Sequence, residues 1–265
     1  MLPAVIREST DWYQLAGWIR LCDYVETSER TEIEVDRLID LLPAIDHERV
    51  LDVACGTGRI ARHLARSGYA VTGIDSSEIA IELARLRIQA GNAPRFAVGD
   101  MRDLHEFRNY DAVLCLFNSF GYYDDRTNRR VLLEFAASAR PNGIVVLTVP
   151  NIWRLASRTN AREWIDLGEG IYYLQEHTFD LLSSRYEATW HFVHVSGRLE
   201  VAQVTSRCYT PAELTAMMAA AGLSVEKVVD APSGASLDPD SRELMIVSRR
   251  SGRDVRHSND PDGSS

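Results

Sequence analysis

The run Val50-Leu51-Asp52-Val53-Ala54-Cys55-Gly56-Thr57-Gly58-Arg59-Ile60-Ala61 decides the fold of this chain. Its apolar first half reads as a buried strand and its glycines as a tight loop. Ile60 and Ala61 read as the first inward positions of a helix that takes in Leu64 and Ala65 and stops at Gly68. Glycines without side chains let the backbone come close to a ligand. The free N–H groups of the first helical turn point into the same space. A nucleotide-like cofactor at the turn is therefore expected. The stretch from Gly56 to Ala61 also satisfies the dinucleotide pattern G-x-G-x-x-G/A, so the loop alone does not choose the ligand.

Outward from this loop, strands and helices alternate. Short apolar runs occur at 49–54, 69–74, 94–98, 111–117 and 143–149. Helical patterns fill the gaps: Ile79, Ala80, Leu83 and Ala84 before Gly91, then Val131, Leu132, Phe135, Ala136 and Ala139 before Pro141-Asn142-Gly143. Such alternation predicts a parallel sheet covered on both faces. Residues 1–47 read as a helical lid over the site, with Ile33, Leu38, Leu41 and Leu42 on one face and the aromatics Trp12, Tyr13, Trp18 and Tyr24 upstream. Residues 171–208 change to β-rich runs, predicting a three-stranded antiparallel meander inserted after the fifth strand. A helix starts at Thr210-Pro211-Ala212-Glu213, which has the residues of a capping box with Pro at the first helical position. Strand-like runs at 223–229 and 243–248 follow, and the polar stretch 250–265 reads as disordered.

Composition narrows the class. The chain has 265 residues and a formal net charge of -9, with no clustered Lys/Arg run, which argues against nucleic acid as the main partner. Cys22, Cys55, Cys115 and Cys208 are far apart and lack zinc-type spacing, so no metal site is expected and a reducing cytoplasm fits. The first residues lack the apolar core of a signal peptide, and no run approaches the ~20 apolar residues of a membrane span.

Asp75 supports an adenosine-type ligand without choosing among them; Asp52, Asp100 with Met101, and the closing helix, strand, short loop and strand, a familiar departure from the dinucleotide fold, choose. Asp75 closes the second strand about 20 residues after Gly56, where nucleotide folds grip a ribose hydroxyl pair. Asp52 lies within the first strand, where a carboxylate beside a pyrophosphate would repel it. Gly99-Asp100-Met101 ends the third strand with a carboxylate and an apolar surface suited to an adenine amino group and ring. The segments Val50 to Ala61, Gly73-Ile74-Asp75-Ser76-Ser77, Val98-Gly99-Asp100-Met101, Asp111 to Tyr123 and Arg140 to Pro150 resemble the class I S-adenosylmethionine-dependent methyltransferases, in particular bacterial small-molecule methyltransferases. The resemblance implies an α/β Rossmann-like fold, with a seven-stranded, mostly parallel sheet of order 3-2-1-4-5-7-6 whose last strand is antiparallel. It also implies that Ala54 and Gly56 line the methionine part of the cofactor, that Asp75 with neighbouring Ser76 holds the ribose, and that Asp100 and Met101 hold adenine. The backbone at Leu116 would face the methionyl amine and sulfonium. Tyr13, Tyr24 and Arg30 would close over the methionine carboxylate.

The acceptor is expected beside the tip of the fourth strand, near Asn118, Phe120, Tyr122 and Tyr123. Tyr122 and Tyr123 are catalytic candidates, and His177, His191 and His194 are candidate bases. His191 and His194 point to opposite faces of a strand. No Asn/Asp-Pro-Pro-aromatic tetrad follows the fourth strand, which disfavours DNA. Asp124 and Asp125, the one close acidic pair there, sit where a helix cap is expected. The reading is a cytoplasmic methyltransferase acting at N or O of a small metabolite, with an exposed meander able to pair across a homodimer. An NAD(P)-dependent oxidoreductase using the same loop, and a non-catalytic cofactor-binding protein of this fold, remain open alternatives.

Overall fold

The computed structural model describes residues 5–9, 11–25, 28–42, 48–89, 91–158 and 162–252. The stretch read as a disordered tail lies outside them from residue 253 onward. The N-terminal region, read as wholly helical, opens instead with a strand, β1 (Val5–Ser9), before a 3-10 turn (Trp12–Gln14), α1 (Ala16–Val25) and α2 (Ser28–Leu41). Next come β2 (Arg49–Val53), α3 (Arg59–Arg66), β3 (Ala70–Asp75), α4 (Glu78–Leu86), β4 (Arg95–Val98), β5 (Tyr110–Cys115), α5 (Asp125–Ser138) and β6 (Ala139–Pro150). After α6 (Ile152–Ser157) and β7 (Arg162–Asp166) run β8 (Ile171–Asp180), β9 (Arg185–His194) and β10 (Arg198–Arg207). The chain closes through α7 (Pro211–Ala220), β11 (Leu223–Asp230) and β12 (Glu243–Arg250).

The central sheet has seven strands in the order β11-β12-β6-β5-β2-β3-β4, and β12 is antiparallel to both neighbours. Counted within this sheet, the order is the expected 3-2-1-4-5-7-6. All six residues of β5 are buried, because helices cover both faces and the strand must be apolar on each. Leu132, Phe135, Leu214 and Met218 from α5 and α7 fill one side. Leu38, Ile60, Leu64 and Ile81 from α2, α3 and α4 fill the other. Caps follow the sequence: Asp124 accepts the Thr127 N–H at 2.7 Å to start α5, and Thr210 with Glu213 forms the full capping box of α7.

The meander is larger than the sequence suggests. Strands β8, β9 and β10 gain an edge on each side, giving the five-stranded order β1-β10-β9-β8-β7. Its inner face buries Tyr173, Phe179, Ala188, Trp190, Phe192, Ala202 and Val204, while Trp164, Tyr172, Leu174 and Val193 stand exposed on the outer face. Helix α1 lies on the inner face. A Cβ on Gly17 would fall 2.2 Å from the Phe192 ring, so only glycine permits this approach. The Gly17 N–H donates to Oε2 of the fully buried Glu200 at 2.9 Å, placing a negative charge at the start of α1. Arg198 pairs with the other carboxylate oxygen.

Candidate active site

Strands β2 and β5 are adjacent, and the helices that follow them pack on opposite faces. In such sheets the crevice beyond the carboxyl ends of the strands at this switch point is where ligands bind. The backbone is strained on both sides of it. Ala54 after β2 has φ 58°, and Phe117 and Asn118 after β5 have φ 54° and 60°. Non-glycine residues there cost about 1–3 kcal/mol each and persist only where their surroundings impose them. The surroundings are visible. Cys55 N–H donates to the Ile74 carbonyl at 2.9 Å, Asn118 Nδ2 donates to Glu243 Oε1 at 3.0 Å, and the Arg59 guanidinium lies 4.2 Å from the Phe117 ring centre. No residue pattern around Phe117 signals this conformation.

The three glycines around the loop have different roles. A Cβ on Gly56, whose φ is 54°, would meet nothing within 4 Å, so this residue lines an open cradle. A Cβ on Gly58 would fall 2.3 Å from Phe96, and one on Gly73 would fall 2.8 Å from the same ring, so these two serve packing. Asp75 Oδ2 accepts the Gly56 N–H at 2.8 Å and Oδ1 accepts the Ser77 N–H at 2.8 Å. Each oxygen retains a further lone pair for a ligand hydroxyl. Burial pushes the Asp75 carboxyl above the usual carboxylate range, and the two amide bonds partly offset this. Below the loop, burial and then Asp52 push the Cys55 thiol well up, so it stays neutral.

Asp100 and Met101 lie beyond β4, with Met101 packed against the core. Asp100 is gripped by Arg102, a residue the sequence reading passed over, and that guanidinium holds its carboxyl below the usual range. Arg102 also stands 4.7 Å from the ring centre of Tyr123. Tyr13 faces the same group: burial, then Asp11 and Asp100, raise its phenol pKa. Ser76 presents its carbonyl to Gln14 Nε2 at 3.2 Å, and Ser77 Oγ meets Gln14 Oε1 at 3.2 Å. The Leu116 carbonyl is turned into its own loop, accepting the Ser119 hydroxyl at 2.8 Å and its N–H at 3.3 Å. Tyr24 is exposed on α1, and the Arg30 side chain lies outside the described residues.

In the loop after β5, where the acceptor was expected, Tyr122 packs 5.1 Å from Trp12, which meets Trp18 at 4.7 Å, and Trp18 stacks on Trp190 at 4.9 Å. Burial pushes the Tyr122 phenol far up, so it remains a neutral donor at physiological pH. Burial likewise raises Tyr123. His177 is on the inner face with its Nε2 3.1 Å from the Arg158 carbonyl. His191 pairs with Leu174 and Val201 and so points to the outer face, away from the aromatic cluster. His194 lies 3.9 Å from Glu200 beside α1. Asp124 is spent as a cap, and Asp125 accepts the Tyr209 hydroxyl at 2.8 Å. Arg87 binds Asp23 of α1 through two bonds of 2.8 and 2.7 Å and also reaches Thr57 Oγ1 at 3.0 Å, tying α1 to the glycine loop.

Comparison with known proteins agrees with this geometry. Residues 50–143 match the family described as "Methyltransferase domain". The demethylmenaquinone methyltransferase of Thermotoga maritima is 32% identical over 157 residues, which cover 56% of this chain and 66% of the relative. The dTDP-3-amino-3,6-dideoxy-alpha-D-glucopyranose N,N-dimethyltransferase of Streptomyces fradiae is 40% identical over 99 residues, 37% of this chain and 38% of the relative. The chain thus spans between about a third and two thirds of the length of these curated relatives. SAM-bound CalS10, an amino pentose methyltransferase from Micromonospora echinaspora, shares the fold with a TM-score of 0.66 at 23% identity, covering 89% of this chain and 98% of that one. The fold and site define a Rossmann-like cofactor-binding protein of the methyltransferase type. Residues 50–143 carry a methyltransferase domain, and the chain shares the fold of S-adenosylmethionine-dependent methyltransferases, whose cofactor the Gly56 cradle and the Asp75 carboxylate fit.

Proposed function

We propose that this protein transfers a methyl group from S-adenosylmethionine to an amine nitrogen of a small, amino-sugar-like acceptor. The observation that carries the reading is the pairing of the open Gly56 cradle with Asp75, whose two oxygens stand ready for a ribose diol. S-adenosylmethionine supplies a methyl group on a sulfonium sulfur, and the remaining work is alignment and exclusion of water. Ala54 and Gly56 line its methionine part, Asp75 holds the ribose, and Asp100 with Met101 receives adenine. Tyr122 and Tyr123 border the acceptor and keep their phenol protons, so they orient it by donating hydrogen bonds. An amine attacks once it is neutral and needs no protein base, whereas a hydroxyl needs one. The amino-sugar relative from Streptomyces fradiae supports nitrogen as the target.

One observation favours oxygen as a second reading. His177 is buried, its Nε2 faces the Arg158 carbonyl, and Nδ1 has no hydrogen-bond partner among the described residues. In the neutral tautomer that donates from Nε2 to this carbonyl, Nδ1 has an unused lone pair. Incubation with S-adenosylmethionine and matched nucleotide-linked amino and hydroxy sugars, read by mass spectrometry, decides between them. Methylation of the amino sugar, undiminished in His177→Gln, is expected. Methylation of the hydroxy sugars alone would overturn the nitrogen reading. Calorimetric binding of NAD with no response to S-adenosylhomocysteine would overturn both.

A further inference from the structure

We propose that Arg102 sets the selectivity of the cofactor site for an adenine amino group, by fixing the Asp100 carboxylate with a single acceptor direction left for the ligand. This rests on the placement of adenine at Asp100 and Met101 in the function proposed above.

The geometry is a count of lone pairs. Asp100 Oδ1 accepts the Arg102 backbone N–H at 2.8 Å and its Nε at 2.9 Å. Oδ2 accepts Nη2 and also receives the Nε–H at 3.0 Å; that single hydrogen is shared between the two oxygens and is counted once, on the nearer Oδ1. A carboxylate oxygen offers about two acceptor directions. Oδ1 is therefore filled, and Oδ2 keeps one. The guanidinium cannot swing away freely, because its face rests 4.7 Å from the Tyr123 ring centre. Arg102 is thus fixed by one edge on the carboxylate and one face on the ring.

A group that meets the remaining direction of Oδ2 must donate a proton. The exocyclic amine of adenine does so. The carbonyl of a 6-oxopurine presents lone pair to lone pair and is repelled. Without Arg102 the carboxyl torsion is broad and two-fold, so the group turns. A turned carboxylate no longer singles out the amino form. The side chains of Arg102 and Asp100 are 44% and 34% exposed, so the pair contributes little to folding and its removal leaves the fold intact.

Calorimetric titration of the full chain with S-adenosylhomocysteine and with its deaminated analogue, S-inosylhomocysteine, tests this. Wild type is expected to prefer the amino form by roughly 10- to 100-fold, the range for one mispaired buried hydrogen bond. Arg102→Ala should bring the ratio below about threefold, chiefly by weakening the amino form, and Arg102→Lys, lacking the planar fork, should fall between. Tyr123→Leu should lower the ratio in wild type and leave it unchanged in the Arg102→Ala background. If Arg102→Ala weakens both ligands equally and keeps the ratio, Arg102 is structural and the inference falls while the adenine placement stands. If wild type already binds both forms alike, the adenine placement itself fails.

Discussion

Two alanine substitutions in one loop separate ligand binding from folding. Gly56 and Gly58 both have positive φ, 54° and 75°, so alanine at either costs about 1–2 kcal/mol of backbone strain. Their new methyl groups meet different things. At Gly56 the methyl enters space with no protein atom within 4 Å, so the folded protein carries the backbone strain alone. In a protein of this size that corresponds to a Tm drop of roughly 2–8 °C. The same methyl occupies the cradle, and overpacking against a bound ligand costs about 1–3 kcal/mol, or roughly 5- to 150-fold in Kd. At Gly58 the methyl falls 2.3 Å from Phe96 and 3.1 Å from the Ala84 Cβ, both buried. Overpacking then adds to the strain within the protein itself, for about 2–5 kcal/mol in total and a Tm drop of roughly twice the other. Thermal unfolding without ligand, and calorimetric titration with S-adenosylhomocysteine, measure the two effects. Gly56→Ala should bind poorly and lose only those few degrees, and Gly58→Ala should lose about twice as many. If Gly56→Ala binds S-adenosylhomocysteine as wild type does, the cradle is not where the ligand lies.

Asp75→Asn should weaken S-adenosylhomocysteine by about 10- to 100-fold, because two hydroxyls lose a charged acceptor. Burial raises the Asp75 pKa in the ligand-free protein and hydroxyl donors favour the ionised form, so wild-type affinity should be level above that pKa and fall as pH drops through it. The Asn variant should lose this component. The same raised pKa means that ionised Asp75 opposes folding, so its own contribution to ligand-free stability improves as pH falls, opposite to binding. Gly121→Ala forces alanine to φ 110° and places its Cβ 2.5 Å from the Arg207 carbonyl oxygen. The acceptor loop must shift, and kcat should fall at least about tenfold while S-adenosylhomocysteine Kd changes less than about threefold. Arg87→Met cuts the tie from Asp23 to Thr57; these partly exposed charges contribute about 1 kcal/mol or less. Tm should hardly move, while amide exchange in residues 16–25 should quicken.

The central sheet was legible because its strands are buried on both faces and so read as apolar runs, β5 being the extreme. The helix starts were legible because caps are local: Asp124 and Thr210 act within three residues of themselves. The edges of the small sheet were not. Strand β7 has no buried residue, and β1 pairs Val5 with Arg198 across most of the chain, so neither carries a periodic signal of its own. Asp75 was placed by its spacing from Gly56. Arg102 was missed for a different reason: a charged residue after a strand tip reads as solvated surface. The Asp-x-Arg spacing was the available clue, since an Asp that accepts the N–H two residues on forms a turn that brings that residue's side chain back to it.

The N-terminal region shows why such errors matter for function. Read as a separate helical lid, it would be a cover added to a finished site. Its described residues instead contact both halves of the site. Gln14 meets Ser76 and Ser77 beside the Asp75 carboxylate, and Asp23 is bound through Arg87 to the glycine loop. Trp12 and Trp18 pack on Trp190 of the small sheet, Trp12 also meets Tyr122 of the acceptor loop, and Gly17 fits only against Phe192 and Glu200. A single turn and helix therefore join the Asp75 edge to the loop after β5 and the small sheet. Substitutions at Gly17 or Trp12 should disturb both ligands together, whereas Asp75 and Gly121, each on one side of that join, should disturb one.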